Sequence, residues 1–469
     1  MAKLTFKRVL VYVIVYGLIQ PIWRVMFWYR SYKLKRWRFK RLSDAKLKSL
    51  MADKLAQLHD EERPYFQHER HQPIATPDAS SWLSHNPEAP QDFDEYLRYV
   101  NYFNRRCVRE QRPAAPLTLP VAADAKIYLC LLDADVFDSV TTTTTTNDSG
   151  RHYHDDDNGN GNGNDGVDVG NNTTTPANIK VNQLAEYISV WFQRQVVILT
   201  VDQLHDFDIN QITSRQVDIY YNSAGASNNN HNTEADRGSH NPDSDHHESG
   251  GQHSTSHKQL LTADIHKYLV SRRSQLPDCF AMLAVTKLDL YGTHTSFVFG
   301  ETDMISHVGV ISTYQTSLKM LIAALDHDAT ERPTLRSDET DDCLRLLQPL
   351  RSQQENTEQG RLATVSSHSS SQQLLQLTDN KELLLKYQLQ LICAVAVHEL
   401  NHMLGMGHCV YYACNMNGWN HLAELAEHPM HLCPIDLYKL KHAMAIDNIA
   451  VRQRQLQEIS QRLQFIDEL

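Results

Sequence analysis

The chain has 469 residues, 41% of them hydrophobic, enough for a core of roughly 200 residues even after long polar tracts are subtracted. A formal net charge of −11 argues against nucleic acid as the main partner. The eight cysteines are mostly dispersed, which excludes a secreted disulfide framework as the first reading and favours a reducing, cytoplasmic setting.

Residues 1–42 read as a hydrophobic and basic leader. Val9–Trp23 is almost uncharged, apolar character resumes from Val25 to Tyr29, and Arg30, Lys33, Lys35, Arg36, Arg38, Lys40 and Arg41 follow. About 20 apolar residues are needed to span a bilayer; reaching that length here includes Pro21 and Arg24. Residues 9–29 therefore read either as a membrane anchor or as a basic amphipathic leader that contacts membranes. Both readings leave the rest of the chain in the cytosol.

Residues 43–125 read as a helical and irregular extension, residues 126–450 as one α/β domain with a mixed sheet packed on helices, and 451–469 as a C-terminal helix or tail. Three polar tracts, 141–176, 222–257 and 327–380, lack the apolar content to join a core and read as disordered insertions. A short helix is expected at 343–350 inside the third. Six histidines lie between His231 and His257, where solvated low complexity is a better reading than metal capture. Strands are expected at Lys126–Leu132, Gln195–Val201, Gln216–Tyr221, Cys279–Leu290, Ser296–Phe299 and His307–Thr313. Helical spacing appears in Val181, Leu184, Ile188 and Trp191, in Leu261, Ile265 and Leu269, and along a long helix over Lys381–Leu404.

That long helix ends in His398-Glu399-Leu400-Asn401-His402-Met403-Leu404-Gly405-Met406-Gly407-His408, the pattern HExxHxxGxxH. Residues four apart share a helical face, so His398 and His402 can offer imidazole nitrogens to one cation. Glu399 can reach a water on that ion, Gly405 permits the positive φ that turns the chain back, and His408 arrives as third ligand. Three neutral imidazoles leave the fourth position of zinc open to water, as a catalytic site requires. From composition, a bare HExxH is expected in about one such chain in twelve, and the extended pattern in about one in several thousand.

Downstream stand Cys409, Cys414, Met416, Cys433 and Asp436. With these residues, and with Ser81–Arg98, Asp278–Gly300 and Val308–Ser312, the sequence resembles the animal archaemetzincins over roughly residues 80–450. The resemblance implies a metzincin-like protease domain with one catalytic zinc and a second zinc held by four cysteines. By position, His398, His402 and His408 match the catalytic ligands, Glu399 the catalytic glutamate, and Met416 the methionine beneath the metal. Cys409, Cys414 and Cys433 match three structural ligands, and Asp436 stands where the family has the fourth cysteine. Three outcomes stay open: a Cys3Asp site, a Cys3His site recruiting His421, His428 or His431, or a lost site with free thiols.

The expected function is peptide-bond hydrolysis through a zinc-activated water with Glu399 as general base. The alternative is a zinc-binding, protease-like protein that binds without turnover. A peptide or protein substrate would lie extended against an edge strand, Ser296–Phe299 or His307–Thr313.

Overall fold

The computed structural model describes residues 41–77, 81–86, 88–110, 117–133, 136, 176–221, 253–321 and 381–465. The apolar leader at 9–29, most of the three insertions and the helix expected at 343–350 lie outside the described residues. The described residues divide into two compact units, one within 41–123 and 401–454, the other within 124–400 and 455–465. The division falls inside the continuous helix Lys381–Met403.

In chain order the elements are α1 (Asp44–Leu55), α2 (Trp82–His85), α3 (Phe93–Glu110), β1 (Lys126–Leu131), α4 (Pro176–Phe192), β2 (Val196–Leu199), β3 (Ser214–Tyr221) and β4 (His253–Leu261). Then follow α5 (Thr262–Arg273), β5 (Cys279–Thr286), β6 (Asp289–Tyr291), β7 (Gly300–Asp303), β8 (Val308–Ser312), α6 (Lys381–Met403), α7 (Leu422–Glu427), α8 (Pro434–Met444) and α9 (Ile449–Leu463).

Within the second unit, a five-stranded sheet runs β2-β1-β5-β8-β7, parallel except for β7, which pairs antiparallel with β8. The apolar runs KIYLCL and CFAMLAVT are buried along almost their whole length, as expected of parallel strands covered on both faces. Tyr128, Cys130, Met282, Ala284, Val308 and Val310 share a core cluster with Ile265 and Leu269 of α5. On α4, Val181, Leu184, Ile188 and Trp191 are at most 5% exposed, so their helical spacing marks the face that packs inward.

Three sequence expectations are corrected here. Ser296–Phe299 forms no strand, only an isolated bridge between Val298 and Leu290. The strand within His307–Thr313 is β8, flanked on both sides by β5 and β7, so it offers no free edge; the edge is β7. The composition of 222–257 concealed the start of β4 at His253, which pairs antiparallel with β3. His257 in that strand is stacked on Tyr314 at 4.7 Å and bonded to the buried Asp289 at 2.9 Å. Backbone pairing and a carboxylate partner thus order a stretch whose side chains alone look solvated.

Among the described residues one helix, Leu383–Met403, is long and apolar enough to cross a membrane, and 89% of its most apolar window is buried inside the protein. This is α6, apolar on every side because it is a core helix.

In the first unit, Glu62 of the N-terminal segment is fully buried and accepts from Lys441 Nζ at 2.6 Å and from the backbone N–H of Ile449 at 2.8 Å, at the start of α9. Burial alone would raise its pKa; the bonds from Ile449, Lys441 and the His59 N–H outweigh burial and hold the carboxyl below its usual range. Glu62→Ala leaves a largely buried ammonium and an N-terminal helix donor without this partner. The expected loss is about 2–4 kcal/mol in chemical denaturation. Because the folded pKa is lowered, the contribution is complete above the ordinary carboxylate range and disappears as pH falls through the lowered value. The gap between wild type and Glu62→Gln should therefore narrow in acid.

Candidate metal centres

The helix α6 ends because Gly405, at φ +86°, turns the chain into the left-handed region. Its N–H donates to the His402 carbonyl at 2.8 Å, while the N–H of Met406 returns to Asn401 at 3.3 Å. The helix's last carbonyls would otherwise lack partners. Tyr96 donates its hydroxyl to Leu404 O at 2.9 Å, and Gln91 donates Nε2 to Gly405 O at 3.1 Å. A Cβ on Gly405 would also lie 2.8 Å from Val100 Cγ2, so both conformation and space demand glycine here.

The structure brings His398, His402 and His408 together, with one ligand atom from each within 4.8 Å of the others. His402 Nδ1 lies 2.7 Å from Met406 O, and His408 Nδ1 lies 2.8 Å from Glu88 Oε1. A carbonyl and a carboxylate can only accept here, so each neutral ring carries its proton on Nδ1 and keeps the Nε2 lone pair for a cation. Burial and the neighbouring His408 push the His402 pKa down to about 3, which keeps that imidazole neutral. Glu88 is held below the usual carboxylate range: burial opposes this, but the His408 bond and charge and the Trp82 indole N–H outweigh it.

Glu399 is 5% exposed. Thr302 of β7 donates Oγ1 to Glu399 Oε2 at 2.6 Å, and the same hydroxyl lies 3.2 Å from the Glu399 backbone carbonyl. On the same strand, Gly300 runs so close that a Cβ there would lie 2.9 Å from both Cγ and Oε1 of Glu399. The edge strand thus fixes the carboxylate with one hydroxyl and one missing side chain.

A second group, Cys409, Cys414, Cys433 and Asp436, is wholly buried, its ligand atoms again within 4.8 Å of one another. Cys409 and Cys433 sulfurs are 3.7 Å apart, not disulfide-bonded. Asp436 Oδ2 stands 3.4 Å from Cys414 Sγ and 3.2 Å from Cys433 Sγ. Burial alone would raise the Cys409 thiol. The side chains of Cys414 and Cys433 and the N–H groups of Tyr411 and Tyr412 outweigh it and hold Cys409 well below its ordinary value. Burial raises Cys414 and Cys433, and burial with the Cys409 charge pushes Asp436 up to about 6 against the pull of Lys439. Buried thiols and a carboxylate that favour one shared negative charge are a donor set suited to a soft divalent cation.

The three histidines considered as a fourth ligand are not in this group. His421 caps α7 by accepting from the Glu424 N–H at 3.2 Å, and His431 packs its ring 5.7 Å from His71. His428 packs 5.6 Å from Trp419. Met416 is fully buried; its carbonyl accepts from the Cys409 N–H at 2.7 Å.

Sequence reasoning missed Glu88, Gln91, Gly300, Thr302, Asn417 and Lys439. Asn417 donates to the carbonyls of Cys409 and Tyr412 at 2.9 and 3.0 Å and accepts from the Cys414 N–H at 2.8 Å, which shapes the cysteine loop. Position in sequence gives no sign of these partnerships, because 300 or more residues separate Glu88 and Gln91 from the loop they serve.

No protein-family model matches the chain. It is 29% identical to archaemetzincin-2 of Mus musculus over 203 residues, 43% of this chain and 46% of that protein. With archaemetzincin-2 of Homo sapiens it shares 27% over 193 residues, 40% of this chain and 43% of the relative. A shorter stretch of 62 residues, 13% of this chain, is 44% identical to human archaemetzincin-1, of which it covers 12%. The chain is thus similar to archaemetzincins over part of its length. The match spans about half the length of the archaemetzincin-2 relatives. Among solved structures, archaemetzincin from Archaeoglobus fulgidus in complex with malonate aligns over 67% of this chain and 99% of its own, at 16% identity and a TM-score of 0.28. A zinc-dependent peptidase from Methanocorpusculum labreanum aligns over 67% of this chain and 99% of its own, at 14% identity and a TM-score of 0.30.

Proposed function

We propose that the chain hydrolyses peptide bonds at a zinc ion held by His398, His402 and His408, with Glu399 as the general base. The observation that supports it most is the convergence of one ligand atom from each of the three imidazoles within 4.8 Å of one another, with Nδ1 of His402 and of His408 facing the acceptors Met406 O and Glu88 Oε1. Zinc bound there would lower the pKa of a water toward about 7 and polarise the scissile carbonyl. Glu399 would accept a proton from a water held there and would return it to the leaving amine. Thr302 keeps one carboxylate oxygen engaged, which orients the other toward the reacting water. A peptide substrate is proposed to add as a strand along β7, the sheet edge that carries Gly300 and Thr302 beside Glu399.

Zinc stoichiometry measured beside cleavage of a peptide library tests the assignment. Treatment with a strong chelator should abolish cleavage, and added zinc should restore it; cleavage that persists in the metal-free chain would defeat the proposal. A zinc-loaded chain that cleaves no peptide in the library would instead favour a binding role.

Glu88→Gln should lower zinc affinity at the histidine site by about 10-fold or more, because it removes the charge that makes His408 a more basic ligand. Competition with a chromophoric chelator measures this. Unchanged affinity would show that Glu88 serves only to accept the Trp82 indole N–H.

A further inference from the structure

The chain departs from a four-cysteine site at Asp436, and the structure gives that carboxylate a partner. Lys439, one helical turn further along α8, donates Nζ to Asp436 Oδ1 at 2.8 Å, with the two side chains 1% and 0% exposed. Oδ2 is left facing Cys414 and Cys433. The two oxygens are thus divided between an ammonium and the thiols, an arrangement that favours a carboxylate binding a metal through one oxygen. Three thiolates and a carboxylate around a divalent cation carry a net charge of −2, costly to bury; the ammonium offsets half of it.

Lys439 has a second acceptor. Its Nζ lies 3.2 Å from Gln91 Oε1, which also accepts from the Gly407 N–H at 3.0 Å, while Gln91 Nε2 donates to Gly405 O at 3.1 Å. Between these glycines stands Met406, whose carbonyl orients His402, and the next residue is His408. A continuous line of buried and part-buried hydrogen bonds therefore joins the cysteine group to the loop that presents the third imidazole.

We propose that Lys439 is the counterion that makes Asp436 a one-oxygen metal ligand in a Cys3Asp zinc site, and that Gln91 couples this site to the loop carrying His408. Lys439 and Gln91 act as positioning residues and touch neither metal. The coupling rests on the reading of His398, His402 and His408 as metal ligands; the counterion role does not.

Cobalt titration of the full metal-free chain tests both parts, because thiolate-to-cobalt absorption reports the cysteine site alone. Wild type should take up two ions, one with thiolate bands. Lys439→Met should weaken the thiolate-reporting site by about 10–100-fold, and adding Asp436→Cys should bring it back to within a few-fold of wild type, since a fourth thiolate needs no ammonium to orient it. Gln91→Met should leave the thiolate bands unchanged and weaken the other ion about tenfold.

A Lys439→Met chain that titrates like wild type, or a loss that Asp436→Cys does not reverse, overturns the counterion role. Should Lys439→Met fail to fold, as judged by circular dichroism, the double variant decides: the proposal requires it to fold and bind cobalt. Unchanged binding of both ions in Gln91→Met overturns the coupling. Uptake of a single ion with thiolate bands by wild type overturns the histidine site and the coupling with it, and leaves the Lys439 test readable.

Discussion

Glu399→Gln should reduce kcat for peptide cleavage by about 10²–10⁴-fold, the range over which a positioned general base contributes, equivalent to roughly 3–5 kcal/mol of barrier. Glutamine keeps the shape of the side chain, and its carbonyl oxygen can still accept from Thr302 Oγ1, now 2.6 Å from the carboxylate. What it cannot do is take a proton. The loss should therefore fall on kcat with KM little altered, and zinc content should be unchanged because the imidazoles keep their Met406 and Glu88 partners. Steady-state kinetics beside metal analysis reads both quantities. Activity within a few-fold of wild type would mean that another group moves the proton, whereas a loss of zinc would assign Glu399 a role in holding the metal.

Much of the framework was legible because single physical signals dominate it. Apolar runs too short for helices mark β1 and β5, and a spacing of three and four residues marks the inward face of α4. Where two signals competed, composition misled. His253–Ser256 looks like the tail of a polar tract, yet it completes a strand whose partner, β3, lies on the far side of that tract in sequence. Val308–Ser312 reads as a strand, but its position inside the sheet follows from β7, a run of Gly, Glu, Thr and Asp with no apolar alternation.

In the site, ligand types and helical spacing are local properties and can be read from one stretch of chain. The groups that orient the ligands are not local. Glu88 and Gln91 reach their partners across more than 300 residues, and Thr302 reaches Glu399 across 97. Lys439 is three residues from Asp436, but a lysine on a helix is ordinarily a solvated charge. Only its burial beside the cysteines gives it a different meaning.

Gly300→Ala should lower kcat by about 100-fold while leaving zinc content at the wild-type level. The added methyl would lie 2.9 Å from Cγ and Oε1 of Glu399 and 3.0 Å from its Cδ, closer than side-chain carbons pack. Either the strand or the carboxylate must move. Glu399 is nearly buried and tied to Thr302, which shares the strand with Gly300, so displacing β7 carries the hydroxyl away with it, and displacing Glu399 would carry the proposed base away from the water it would activate. A misplacement of about 1 Å in a reacting group is enough for a hundredfold loss. The stability cost should stay near 1 kcal/mol, because β7 is a short, half-buried edge strand. A cycle with Glu399→Gln separates this account from general damage to the sheet: once the base is gone its position no longer matters, so Gly300→Ala should add little to the loss in that background. If the two losses instead multiply in full, the glycine acts on substrate binding or folding and not through Glu399.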